Sequence, residues 1–132
     1  VQGMEPVAIV TVLMLTQFFV FAILVGRARV KNNIIAPAVT GNEIFERYFR
    51  IHQNTMEQLV VILPALWLFA WYVEPLSAAA TGLVFIAGRW MYGSGYAKDP
   101  AKRATGFVIG ILAQTVLILG ALIGIVLSWM NG

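Results

Sequence analysis

Ala104 to Met130 is a run of 27 residues without a charged side chain, and no other feature narrows the fold as much. About 20 mostly apolar residues in a helix cross roughly 30 Å of hydrocarbon, so this run is long enough to span a bilayer. Three further segments share its character. Pro6–Val25 carries no charge over 20 residues, Ile51–Val73 carries only Glu57, and Pro75–Ala97 carries only Arg89. All four satisfy the spanning requirement by length and scarcity of charge. The expected fold class is therefore all-α: an integral membrane four-helix bundle, one domain over residues 1–132, with helices over about 5–30, 44–73, 75–97 and 100–130. Val1–Gly3 reads as an added segment ahead of a natural start at Met4. The first run lacks a basic flank and is too long for the apolar core of a cleaved signal peptide.

Composition closes off other classes. The chain is 60% hydrophobic and 11% charged, against roughly 45–50% and about 25% in soluble domains. A water-soluble globule and a nucleic-acid-binding arm are both excluded, so no nucleic-acid partner is expected. The sequence has no cysteine. Disulfides, thiolate metal sites and a cysteine nucleophile are thereby excluded. With one histidine, no metal site is expected. There is no Walker loop, dinucleotide fingerprint, zinc motif or Gly-x-Ser-x-Gly.

The links between the runs set a topology. Lys31–Ile44 contains Pro37, Gly41 and Asn42. Glu74-Pro75 is short enough to demand an antiparallel hairpin, and Asp99-Pro100 has the form of a helix N-cap followed by a first-turn proline. Pro64, inside the second run, is expected to kink it. In this topology all nine basic residues fall at the first and third connections, while the other side has Glu5 and Glu74 and no cation. By the positive-inside rule the basic side is cytoplasmic and both termini lie opposite. The membrane is a bacterial inner membrane or an endoplasmic reticulum membrane. Trp71, Tyr72 and Trp129 stand where an interfacial aromatic belt lies on the far side.

Topology leaves several polar residues unexplained. Glu46, Arg50, Asn54 and Glu57 fall within one narrow stripe of the second helix, and Arg89, Tyr92 and Tyr96 share a face of the third. Arg103 opens the fourth. An intramembrane carboxylate costs about 2.5–3.5 kcal/mol on insertion scales unless it is paired or hydrated. One reading is an interhelical salt-bridge lattice that only holds the bundle together. The other starts from a charge imbalance: Arg29, Arg50, Arg89 and Arg103 face only Glu46 and Glu57. Guanidinium forks match carboxylates bidentately, so the surplus suits a small anion with several hydrogen-bonding groups, reached from the cytoplasm. His52 faces away from the stripe and reads as an interfacial residue. Gln17 and Gln114 read as amides that bond one helix to another.

Glu46-Arg-x-x-Arg50-x-x-x-Asn54-x-x-Glu57 resembles the signature of the MAPEG family, membrane-associated proteins in eicosanoid and glutathione metabolism. Gly26-Arg-Ala-Arg29, Pro37-Ala-Val-Thr-Gly41 and Phe45-Glu-Arg47 are similar to the first loop of its microsomal glutathione transferase 2 and leukotriene C synthase branch. Gly88-Arg89-x-x-Tyr92-x-x-Gly95-Tyr96 and Ala101-Lys-Arg103-x-x-Gly106-Phe107 are similar to that branch's second signature. The likeness runs from about Gly26 to Gly124. It implies a homotrimer in membrane lipid, with glutathione as co-substrate held between adjacent subunits. Carried over by position, Arg50, Asn54, Glu57, Arg89, Tyr92 and Tyr96 bind glutathione, and Arg29 and His52 reach in from the neighbour. Gln58 stands where the branch has an aromatic contact. Arg103 stands at the family's catalytic arginine, which stabilises the thiolate. Val30 replaces a second arginine of the leukotriene synthase, which argues against a dedicated synthase. The implied activity is a glutathione transferase, with glutathione-dependent peroxidase activity, acting on lipophilic electrophiles or lipid hydroperoxides. Two alternatives remain open. One is a non-catalytic lipid-binding scaffold of the same family. The other is a small four-helix drug/proton exporter, although the first helix lacks the acid that such exporters use.

Overall fold

A computed structural model describes residues 3–132; Val1 and Gln2, part of the segment read as preceding the natural start, lie outside the described residues. Four long helices account for nearly all of it: α1 Glu5–Asn32, α2 Glu43–Tyr72, α3 Pro75–Lys98 and α4 Ala104–Asn131. No strand occurs among the described residues, so the all-helical fold read from the sequence is the fold observed.

Local chemistry explains each helix end. Asn33 closes α1 in the left-handed region at φ 56°, which asparagine tolerates, and the Ile34 amide returns to the Arg29 carbonyl. The Asn42 side chain accepts the Phe45 amide at 3.0 Å and starts α2. Just before it, Gly41 sits at φ 124°, where a side chain is strained. The Gly41 amide donates to the Glu46 carboxylate at 3.0 Å. Glu46 is thus taken up in the capping turn, and the expected place beside Arg50 is corrected to a structural one. Glu74 caps α3: its carboxylate accepts the Ser77 hydroxyl at 2.6 Å and the Ser77 and Leu76 amides at 2.7 and 2.6 Å. The hydroxyl first, then the two amides, hold the Glu74 carboxyl below its ordinary value.

The start of the fourth segment differs from the expected continuous helix. Asp99 does cap it, accepting the Ala101 amide at 3.1 Å, but Pro100–Arg103 forms a tight 3-10 turn before α4 begins. The α3–α4 crossing supplies the reason. A Cβ on Gly95 would lie 2.5 Å from the Lys102 carbonyl oxygen, so the incoming turn is pressed onto the α3 backbone. Pro64 is accommodated inside α2, which stays helical through it.

The helices α2 and α3 pack on each other and on both remaining helices, while α1 and α4 lie on opposite sides of that pair. The core along most of the length is aliphatic and aromatic, with Val7, Met14, Ile62, Leu66, Phe85 and Leu117 fully enclosed. Outward positions are equally apolar: Leu112, Leu119, Ile123 and Leu127 of α4 are all more than half exposed. A soluble bundle reverses that pattern on its surface. Three helical segments, α1, α2 and the stretch Pro100–Asn131, are long and apolar enough to cross a membrane. Helix α3 is the exception to the expectation that all four runs pass this test. Its 24 residues suffice in length, since each adds about 1.5 Å, but glycines, tyrosines and Arg89 dilute its apolarity. It packs against all three other helices, and its small and polar positions Gly82, Gly88, Arg89, Tyr92 and Gly93 are buried there, while Leu76, Leu83, Val84, Trp90 and Met91 keep its outward face apolar.

Glycine makes the α3–α4 contact a backbone one. A Cβ on Gly106 would lie 2.2 Å from the Tyr92 amide nitrogen and 2.5 Å from the Gly88 carbonyl oxygen. Neither atom can retreat without moving a helix. Gly106→Ala should therefore destabilise the bundle by about 1–3 kcal/mol, the usual cost of overpacking. Gly26→Ala, with nothing within 4 Å of the new methyl, should be neutral or gain roughly 0.5–1 kcal/mol. Unfolding midpoints in one detergent compare the two, and a Gly106→Ala protein as stable as wild type would contradict the crossing.

Candidate functional site

The basic residues gather at one end of the bundle. There Arg47, at the start of α2, donates to the Ala97 and Lys98 carbonyls at the end of α3, at 3.4 and 3.1 Å. Next to this junction an open cavity of about 670 Å³ lies among α2, α3 and the start of α4. Its polar lining is Arg50 and Asn54 from α2, Tyr92 and Tyr96 from α3, and Arg103 from the 3-10 turn. Phe107 and Val108 add an apolar wall. The volume falls within the roughly 300–1,000 Å³ of small-molecule sites.

Each side chain has a local reason for its position. Arg50, Asn54 and Glu57 follow at i, i+4 and i+7 along α2, so one face carries all three. Arg50 meets Glu57 at 3.5 Å with both side chains about half exposed, and the Asn54 amide donates to Glu57 at 3.4 Å. The Asn54 Oδ1 atom is buried and has no partner among the described residues. Tyr92 and Tyr96 lie with ring centroids 5.6 Å apart, and Phe107 of α4 packs 6.1 Å from Tyr92. The Gly106 contact described above brings that part of α4 so close. Arg103 donates to the Pro100 carbonyl of its own turn, and its guanidinium carbon stands 5.6 Å from the Tyr96 ring centroid. No carboxylate pairs with Arg103 among the described residues.

The other candidates occupy distinct places. Arg89 does not line the cavity; it is 1% exposed and lies behind it. Its guanidinium donates to the Thr55 hydroxyl at 2.8 Å and covers the Tyr92 ring at 4.1 Å. Glu57 borders the cavity only through Arg50 and Asn54. Gln58 is bonded to Gln114 of α4, and Gln17 donates to the Ile86 carbonyl at 3.0 Å. Both Gln17 and Gln114 therefore bond helix to helix. Arg29 and His52 face away from the cavity, on the α1–α2 side. Arg29 lies 4.8 Å over Phe45 and donates to the Ala38 carbonyl at 2.6 Å, and His52 stacks on Phe18 at 4.5 Å. Thr55 was not singled out from the sequence. Its hydroxyl donates to the Ile51 carbonyl at 2.8 Å, an ordinary helical habit, and only the approach of α3 makes it an acceptor for Arg89. No group of three or more metal-ligating side chains occurs among the described residues.

The lining can hold an anion with amide and hydroxyl functions. Two guanidinium groups supply forks, two phenols donate or accept, and Asn54 offers a buried acceptor. With one nearby carboxylate, Glu57, already shared by Arg50, the cavity mouth stays positive.

The chain is also similar in sequence to known proteins. The MAPEG family's sequence model matches residues 7–123. The chain is 44% identical over 126 residues to microsomal glutathione S-transferase 2 of Homo sapiens, covering 94% of this chain and 84% of that protein. It is 47% identical over 118 residues to an uncharacterised protein of Synechocystis, covering 89% and 86%. Against leukotriene C4 synthase of Cavia porcellus it is 30% identical over 110 residues, covering 83% and 73%. Together with three helices long and apolar enough to span a bilayer, the match over nearly the whole chain makes this an integral membrane protein that belongs to the MAPEG family.

Proposed function

We propose that the protein is a membrane-embedded glutathione transferase whose thiol-activating residue is Arg103. The observation that carries this reading is the cation of Arg103, which no carboxylate matches among the described residues, at the mouth of a cavity already rich in anion-binding groups. Glutathione has two carboxylates, an ammonium group, two peptide bonds and a thiol. Arg50 suits a carboxylate, the Asn54 acceptor suits an N–H donor, and the Tyr92 and Tyr96 hydroxyls suit the peptide groups. Glu57 balances Arg50, and Arg89 acts from behind by holding the Tyr92 ring. Gln58 has its carbonyl engaged by Gln114, so only its amide hydrogens are free for a ligand. Arg29 and His52 face away from their own cavity, as residues reaching a neighbouring subunit's cavity must.

A cysteine thiol has a pKa of about 8.5 and is only a few per cent thiolate at neutral pH. A guanidinium beside the sulfur favours the anion, and each unit of lowering corresponds to about 1.4 kcal/mol. The thiolate sulfur then bonds to an electrophilic carbon, and the leaving group departs with the electron pair. With a lipid hydroperoxide it attacks the terminal oxygen instead: an S–O bond forms as the O–O bond breaks, the departing alkoxide takes a proton to become the alcohol, and a second glutathione thiol attacks the sulfur, displacing that oxygen as water and forming the disulfide. Lipophilic second substrates reach the Phe107–Val108 wall through the bilayer. The site faces the cytoplasm, since the basic end carries all the bundle's cations.

Mixing purified protein with glutathione and following ultraviolet thiolate absorbance tests the reading directly, because a non-catalytic scaffold gives no thiolate signal. Arg103→Ala should lower turnover by about 10²-fold or more, as removal of one preorganised electrostatic donor does. Glutathione affinity should change much less. The deficit should shrink as pH rises toward the free thiol pKa, where thiolate forms unaided, and Arg103→Lys should recover only part of the rate. Normal turnover at pH 7, or a defect confined to binding, would remove Arg103 from this role.

Anchoring is separable. Arg50→Ala or Glu57→Gln should weaken glutathione binding by roughly 10- to 150-fold, the worth of one charge-assisted contact. Unchanged affinity in both variants would make the α2 stripe a purely structural lattice. Assembly follows the same logic. The half-exposed Arg50–Glu57 pair needs cover from lipid, which a homotrimer supplies. Native mass spectrometry should show three chains, and a strictly monomeric species with full activity is the contrary result.

A further inference from the structure

Helix α1 presents two different faces at the basic end. Arg29 turns toward α2 and Phe45. Arg27 and Lys31 stand two residues to either side, about 160° around the helix, and both are exposed. Neither has an ion-pair partner among the described residues. Beneath them opens a cavity of about 640 Å³ whose apolar side includes Leu24, Ile44 and Tyr48. Leu24 and Tyr48 also line a narrower cavity of about 180 Å³, with Phe21, Ile51, Trp90 and Gly93 below them. The shared residues make the two cavities one groove, basic at its mouth and apolar along its length: α1 and α2 line the mouth, α3 joins them deeper down, and Ile44, Tyr48 and Ile51 carry the α2 side throughout.

The groove is built rather than incidental. Phe21 packs edge-on against Trp90 at 5.2 Å. A Cβ on Gly93 would stand 3.2 Å from the Phe21 ring, so glycine sets the depth at that point. Arg47 ties down the α3 end beside it. From Arg27 to Phe21 the groove descends six residues, about 9 Å along the helix axis. A cationic mouth at the membrane surface continuing into an apolar channel in the hydrocarbon matches one class of ligand: an anionic head carrying an acyl chain.

We propose that this α1–α3 groove binds an anionic phospholipid of the surrounding leaflet. The phosphate sits between Arg27 and Lys31, and the first part of an acyl chain lies over Phe21, Leu24 and Trp90. A free anion gains nothing from the apolar channel, and a zwitterionic lipid gains less at the mouth. The groove is on the opposite side of α1 from Arg29 and shares no residue with the cavity of Arg103, so the proposal stands or falls apart from the transferase reading.

Trp90 is a built-in reporter. Trp67, Trp71 and Trp129 are replaced by Phe, leaving Trp90 as the sole tryptophan. The protein is then placed in phosphatidylcholine nanodiscs containing either chain-brominated phosphatidylglycerol or chain-brominated phosphatidylcholine. Half-maximal quenching of Trp90 is expected at a mole fraction at least about fivefold lower for the anionic lipid, since each basic residue near the surface contributes about that factor. Arg27→Gln with Lys31→Gln should abolish the preference, and inorganic phosphate should leave it unchanged. Lys31→Gln should weaken it while Lys102→Gln, the same charge change at the same end, should not. Equal quenching by the two lipids, a preference that survives the double substitution, or an equal effect of Lys31→Gln and Lys102→Gln would each overturn the site. No quenching by either lipid would place another protein chain over the groove and would overturn it equally.

Discussion

A guanidinium buried inside a membrane bundle is costly unless it finds partners, and the two that Arg89 finds, while its Nε stays buried without one among the described residues, shape the basic half of the bundle. One nitrogen donates to Thr55 on α2, and the flat face lies over Tyr92 one turn along on its own helix. An ion taken from water loses several kcal/mol of solvation even after relaxation. No carboxylate reaches Arg89 in return among the described residues. The compensation is a hydroxyl and an aromatic face, both of which fix positions. Helix α3 is thereby held in register against α2. The Tyr92 ring, pinned from behind by Arg89 and from the side by Phe107, presents one definite edge to the cavity. Arg89 thus shapes the site without lining it.

The α3–α4 crossing at Gly88 and Gly106 completes the same construction from the other side. Backbone contact there leaves no room for side chains between the helices. The incoming chain at Pro100–Arg103 is drawn down onto Gly95 and tightened into a 3-10 turn. That turn delivers Arg103 to the cavity mouth beside Tyr96. Small-residue packing is how membrane helices approach one another without a hydrophobic driving force. In this bundle the same glycines decide where the mouth arginine stands.

These features divide sharply by how much of them could be read from residue order. The Arg50–Asn54–Glu57 stripe was legible because it lies within one helix, where 100° per residue fixes the relative directions of side chains. Long uncharged runs and punctuating Pro, Gly and Asn residues made helix count and links legible too. Glu46 misled, since periodicity places it in the stripe but cannot show that a glycine amide five residues back captures its carboxylate. Thr55 was invisible for the converse reason: nothing in α2 alone distinguishes it from any threonine bonding its own helix. The Gln58–Gln114 pair and the burial of Arg89 depend on the offset between helices, which the sequence encodes only through packing. The apolarity of α3 was overread because counting charges ignores glycine and tyrosine, which this helix carries on the face it packs against its neighbours.

The bundle is consequently two-sided at its basic end, and the two sides obey different electrostatic rules. On the α2–α4 side the cations converge on a concave, partly polar cavity, and Arg50 there has a carboxylate beside it. In a lone protomer that pair is half exposed, and a half-exposed pair is worth little while water can reach it. On the proposed trimer, a neighbouring chain over the cavity would remove that water and strengthen every charged contact inside, for ligand and protein alike. On the α1–α3 side Arg27 and Lys31 stand exposed at the mouth of the second groove, and no carboxylate lines it among the described residues. What they meet there is solvent and the charged surface of the membrane rather than a side chain of their own chain. One helix end therefore separates two populations of arginine and lysine that net charge alone cannot distinguish. Their difference lies in which neighbours the fold supplies, and a positive-inside count registers both as the same.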